Sequence, residues 1–428
     1  MKTCVAIFLT LVSLRAAGPD TILLRGATVH PVSGPDIADG SVLVRDGKIA
    51  EVGARVAVPK GTYVIELKGL HIYPGMIDSA TEIGLSEIGA VREMNDISDI
   101  GLFKPQLRAA TAVNPASEHI PVTRANGVTS VITSPGGGII AGQSVLMHLS
   151  GWTMEDMAVR APAAMRLEFP TIRMPGGRFG GGAEAAPGRA SAYADAKKRY
   201  EQQLRELNDF MESARRYRQA KAAAGPDFET DLKLEAMLPV LDGKIPMLIR
   251  AEKEKAIKES IAFADKQKVH MILERGAEAW KVAAELKAHN IPVVLPPTLR
   301  LPEEEDDPYD KPFSIPGELS KAGVKFAFAS FGPGSEDNPR NLPYEAAAAV
   351  GFGLPYDEAL KAVTLYAAQI WGVGDELGSI EKGKWADLIV TDGDPLETRT
   401  QIKRMFIKGA PVDLDNKHHR LYEKYLAR

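Results

Sequence analysis

Thiol chemistry is nearly absent from this chain, whose 428 residues hold a single cysteine, Cys4. One cysteine excludes an internal disulfide and leaves no thiolate cluster for a structural zinc. Histidine is sparse as well, eight residues in all. None stands in a His-x-His or His-Glu-x-x-His spacing, the arrangements that turn two imidazoles toward one metal. No apolar run reaches the roughly eighteen residues that a membrane-crossing helix needs. Charge of neither sign prevails: 52 Lys and Arg face 56 Asp and Glu, for a net charge of −4. That balance provides no basic face for nucleic acid.

What is present is a large apolar fraction, 45%, enough for a sizeable core and two or three domains. The first residues read as a secretory signal over 1–18. Lys2 gives a positive start, Cys4 to Leu14 is apolar, and Ala16-Ala17-Gly18 offers small residues for cleavage. The expectation is an exported protein, periplasmic or extracellular, with no membrane attachment once the signal is removed.

Residues 21 to 70 form short alternating runs broken by Gly and Pro, with Asp46-Gly47 as a hairpin signal between two of them. This predicts a small β-domain. From Gly69 the pattern changes to apolar runs alternating with helical stretches. Strands are expected at Ile72–Ile77, Thr129–Thr133, Met165–Phe169, Pro246–Ala251, Val269–Glu274, Pro292–Leu295 and Val324–Ser330. Runs buried on both faces, separated by helices, point to a parallel sheet, either closed into a (β/α) barrel or open and doubly wound. A Gly-rich stretch at 175–188, a charged helix at 189–224 and an acidic loop at 302–312 interrupt the rhythm. After about residue 376, short strands return, suited to completing the first β-domain. The tail 413–428 ends in a helix.

Five segments taken in order resemble the amidohydrolase superfamily, in its imidazolonepropionase-like branch. They are Tyr73-Pro-Gly-Met-Ile-Asp78, Ala125-Asn-Gly-Val-Thr-Ser-Val131, Leu342-Pro-Tyr-Glu-Ala346, Ala359-Leu-Lys-Ala-Val-Thr364 and Gly378-Ser-Ile-Glu-Lys-Gly-Lys-Trp-Ala-Asp-Leu-Ile-Val390. The resemblance implies an α/β protein, with a (β/α)8 TIM-like barrel over 71–375. It also implies a β-sandwich built from 19–70 and 376–412. It places an active site at the C-terminal mouth of the barrel, where zinc or another divalent metal would activate water.

The positions that should hold that metal are changed. The two histidines of the first strand become Ala80 and Glu82, the third strand offers Arg166 and Glu168, and the next ligand positions carry Arg250 and Arg275. The late aspartate becomes Phe331, which neither binds metal nor moves a proton. The expectation is therefore a degenerate site with no cofactor. Arg250 and Arg275 would face Glu82 and Glu168, or would hold an acidic small molecule. The protein would then be a non-catalytic or attenuated homologue, partnering an intact amidohydrolase or binding a small ligand. The alternative is an active hydrolase of non-peptide C–N bonds, with Glu82 or Glu168 as base and Arg250 and Arg275 stabilising an oxyanion.

Overall fold

The computed structural model describes residues 21–172, 189–223, 225, 228–330 and 338–428. The signal read at 1–18, the Gly-rich stretch at 175–188 and Phe331 lie outside the described residues.

The chain opens with β1 (Thr21–Val29), β2 (Ile37–Arg45), β3 (Lys48–Gly53), β4 (Tyr63–Glu66) and β5 (His71–Pro74). β2 and β3 are joined by the Asp46-Gly47 turn, both residues at positive φ, as the hairpin signal requires. The chain ends supply β14 (Leu388–Thr391), β15 (Ile402–Ile407) and β16 (Ala410–Val412). All eight join one sheet, in the order β16-β15-β14-β5-β1-β2-β3, with β4 also on β1. β4 takes Ile22 to Arg25 and β5 takes Thr28 and Val29, so both strands occupy the same edge of β1. The sheet splits there into two leaves around one core, in which Leu24, Val42, Ile72, Leu388 and Phe406 are buried.

Between those ends lies the barrel, made of β6 (Met76–Thr81), β7 (Val128–Thr133), β8 (Ile140–His148), β9 (Ala158–Glu168), β10 (Met247–Ala251), β11 (Met271–Arg275), β12 (Val293–Leu295) and β13 (Phe326–Phe328). They hydrogen-bond in sequence order. The expected run Ile72–Ile77 is in fact two strands, because the chain leaves the sheet and enters the barrel at Gly75. A Cβ there would lie 2.2 Å from the Thr129 side chain, so only glycine lets the strand pass. The eighth strand, missing from the sequence reading, is β8. It runs antiparallel to both β7 and β9, and the other barrel pairings are parallel. The Gly-rich run 134–143 is loop only to Ile139, and β8 begins at Ile140.

Asp78 on β6 stitches the closing seam. Its Oδ1 accepts from the Ser330 backbone N–H at 3.2 Å, and its Oδ2 accepts from the Ser330 hydroxyl. Period-two alternation then sorts the strands' side chains. Ile77, Ile132, Leu146, Leu248, Ile272, Val294 and Ala327 fill the barrel interior. Met76, Val131, Ile249, Leu273 and Val293 pack outward against helices such as Glu254–Gln267. His148 Nε2, at the end of β8, meets Asp387 Oδ2 at 2.7 Å with both groups buried, which ties the barrel to the outer sheet. Asp387 belongs to the Lys-Trp-Ala-Asp segment of the sequence, so that motif serves the domain joint. Among the described residues, no helix is long and apolar enough to cross a membrane.

Candidate functional site at the barrel mouth

Parallel register puts Glu168, Arg250 and Glu274 in one row across β9, β10 and β11. The row lies one step above the apolar interior layer, so it faces the C-terminal mouth. Arg166, two residues lower on β9, reaches across to Glu274. Its Nε donates to Glu274 Oε2 at 2.9 Å and its Nη2 to Oε1 at 3.0 Å. Its Nη1 donates to the Pro135 carbonyl at 2.9 Å, tying the β7–β8 loop to the pair. Both side chains are buried. Burial alone would lower the Arg166 pKa, but Glu274 beside it, helped by Glu82 and Glu168, more than reverses that.

A second group of charges lies above this pair. Glu252, just past β10, accepts from Arg250 Nη2 at 3.1 Å and from Arg275 Nη1 at 3.2 Å through one oxygen. Burial pushes its carboxyl up, and the two guanidinium groups outweigh that and hold it below the usual range. Arg250 Nη1 lies 3.9 Å from Glu168 Oε2, an ion pair beyond hydrogen-bond length. Arg275 takes φ +75° at the end of β11, an uncommon conformation for a long side chain. Burial and the neighbouring Arg250 lower its pKa.

These groups enclose a cavity of about 170 Å³ lined by Glu82, Ile97, Ser98, Gly136, Gly137, Ala141, Arg166, Glu168, Arg250 and Arg275. Lys104 supports one wall. Buried, its Nζ donates to the Asp99 and Gly136 carbonyls at 2.8 and 3.2 Å, and burial lowers its pKa. Ala80 lies in the apolar layer beneath. Asp78, fully enclosed, is pushed up to about 7 by burial, against the opposing pull of the Ser330 hydroxyl and the Ala80 and Ser330 N–H groups.

The structure thus brings Glu82, Arg166, Glu168, Arg250 and Arg275 together in one cavity. Glu252 and Glu274 were not singled out in the sequence, although one signal was available: Arg250-x-Glu252 has the period of two that puts both side chains on one face of a strand. Histidine contributes nothing to the cavity lining, and His270 lies at the opposite end of the barrel.

A barrel of mostly parallel strands with its charged side chains gathered at the C-terminal mouth has the layout of a TIM-barrel enzyme. The chain belongs to the amidohydrolase family, whose profile matches residues 72–413. It is 25% identical to the amidohydrolase tasK of Hapsidospora irregularis over 419 residues, covering 89% of this chain but only 41% of that protein. It is 24% identical to the imidazolonepropionase of Flavobacterium johnsoniae, covering 90% of this chain and 94% of the relative. In three dimensions it resembles an amidohydrolase from Thermotoga maritima, with TM-score 0.78, 28% identity, and coverage of 92% of this chain and 99% of that one.

The family usually employs divalent metals such as zinc. A zinc-type ion needs three or four imidazole, carboxylate or thiolate donors converging on it. Among the described residues of the mouth, Glu168, Glu252 and Glu274 each face a guanidinium group. No group of three or more His, Cys, Asp or Glu side chains among the described residues is arranged to hold an ion. Arg166, Arg250 and Arg275 would also repel a divalent cation.

Proposed function

We propose that this chain is an amidohydrolase homologue with metal-dependent hydrolysis lost or attenuated, whose barrel mouth receives a small acidic molecule. The observation that carries the reading is the convergence of Arg166, Arg250 and Arg275 on one cavity, at strand ends where the resemblance puts metal ligands. Arg166 is committed to Glu274, but Arg250 keeps a quarter of its side chain exposed and, among the described residues, makes one short contact with a carboxylate. A ligand carboxylate can take the place of Glu168 on that guanidinium and be held by both its oxygens. The cavity's size suits a molecule of a few heavy atoms. Pairing with an intact amidohydrolase belongs to the same proposal, with the helix Arg189–Ala223 and the acidic segment 302–312 as its surfaces.

A second reading is favoured by the relatives, which are hydrolases, and by Glu82 and Glu168 sharing one cavity with two arginines. There a carboxylate would act as base and Arg250 with Arg275 would steady an oxyanion. A lone carboxylate is a weaker answer to an unactivated amide than metal-bound hydroxide.

The deciding experiment measures metal by elemental mass spectrometry after growth with zinc, manganese and iron, then titrates the protein calorimetrically with malonate. The proposal expects far less than one metal per chain, and saturable malonate binding that Arg250→Met weakens. Near-stoichiometric metal would overturn it. So would turnover of amides, imides, dipeptides or lactams that Glu82→Ala abolishes.

A further inference from the structure

A second cavity lies at the other end of the barrel, at the N-terminal ends of β10 to β13, and measures about 710 Å³. It is floored by residues leading into those strands, including Pro246, His270, Pro292 and Val324, and walled by the Trp371-Gly372 turn. The mouth cavity has no part in it.

Its charge is the unusual property. Arg160, Lys244, Lys287 and Lys325 line it, with Asp265 as the one acidic lining residue. Asp265 is already engaged by His289 Nδ1 at 3.2 Å, and Lys244 by Asp242 at 3.5 Å. Arg160, Lys287 and Lys325 have no carboxylate partner among the described residues. Lys325 Nζ instead donates to Gln369 Oε1 at 2.8 Å. Within a chain of net charge −4, one cavity thus gathers three unneutralised cations.

Arg160 is placed with care. It is the third residue of β9, partly buried, and its Nη1 lies over Gly372, 2.7 Å from where a Cβ would stand. Gly372 has φ +68°, so the turn both favours glycine and clears room for the guanidinium. Beside it, the buried Trp371 has an indole N–H with no acceptor among the described residues. Like charges are not held around one opening without cost unless something negative lowers it.

We infer that this cavity at the N-terminal end of the barrel is a second binding site, for a small phosphate-bearing anion held by Arg160, Lys287 and Lys325. Guanidinium and ammonium groups spaced around an open cavity suit a phosphate or diphosphate, whose charge is spread over several oxygens. This goes beyond the reading of the mouth and does not rest on it.

The test is calorimetric titration of the full chain with inorganic phosphate and with pyrophosphate, at low and at raised sodium chloride. Saturable binding of at least one anion is expected, weakened by salt and reduced about tenfold or more by the double variant Arg160→Gln/Lys325→Gln. Lys287→Gln, on an exposed part of the helix Ala283–Ala288, keeps the test open if the double variant folds poorly, and should weaken binding by itself. Arg250→Met removes any anion held at the mouth, and the pyrophosphate binding that remains should still be weakened by Lys287→Gln. No binding, or binding that survives Lys287→Gln and is lost in Arg250→Met, would overturn the inference. The second of those results would put the anion at the mouth.

Discussion

Arg166 and Glu274 meet through two parallel hydrogen bonds, 2.9 and 3.0 Å long, across the width of the intervening strand β10. Each has lost nearly all contact with solvent. A pair of this kind gains little over a well-packed apolar pair, but removing one partner strands the other as a buried charge. Arg166→Met and Glu274→Leu should each lower unfolding free energy by about 3–5 kcal/mol. The double variant should recover most of that loss. A double-mutant cycle by urea denaturation checks it, and additive losses would show that the pair does not act as a unit.

Asp78 gives stability a pH dependence of unusual sign for a carboxylate. Its folded pKa, about 7, is above its unfolded value of about 4. Between those values the folded chain holds a proton that the unfolded chain has released. Its contribution is therefore complete below about pH 4 and is lost as pH rises to about 7. Asp78→Asn keeps the shape and removes the titration. Denaturation midpoints across that window should fall with pH in the parent and fall less in the variant. Parallel profiles would contradict the assignment.

Glu252 works in the opposite direction. Its folded pKa is depressed, so its contribution is present at neutral pH and lost as pH falls through the folded value. Arg250→Met removes one of its two cations. The expected result is a loss of about 1–2 kcal/mol at neutral pH, moderated by the exposure of Arg250, and a smaller further loss on acidification. Thermal melts at neutral and acid pH in low salt measure both quantities.

Gly75 marks where the chain crosses from sheet to barrel. Gly75→Ala would put a methyl group against Thr129 Cγ2 and Oγ1 and should cost about 1–3 kcal/mol by overpacking. Adding Thr129→Ala removes both contacts and should restore part of the loss. An unchanged melting temperature in Gly75→Ala would mean that the crossing can shift.

Much of this architecture was legible because apolar runs buried on both faces stand out in a sequence. β7, β10, β11 and β12 fall within two residues of their expected spans. β8 did not stand out: it begins inside a glycine-rich run, no helix separates it from β7, and only the single turn Met154–Met157 separates it from β9. Motif position brought Glu82, Glu168, Arg250 and Arg275 to notice, and the structure gathers all four. Their partners Glu252 and Glu274 were less visible, since pairing across strands depends on register, which a linear spacing does not carry.

The reversed strand β8 also bears on how the barrel assembles. β7, β8 and β9 form a meander within residues 128–168, joined by short connections that bring neighbours together over little intervening chain. β9 and β10, by contrast, are separated by 78 residues, from Glu168 to Met247. Closing a long loop costs more chain entropy than closing a short one, and local pairings tend to form sooner. The meander can therefore serve as a nucleus on which the later strands dock in turn. Its far strand carries Arg166, so one half of the buried Arg166–Glu274 pair lies on that meander and the other on a strand that docks later in this scheme.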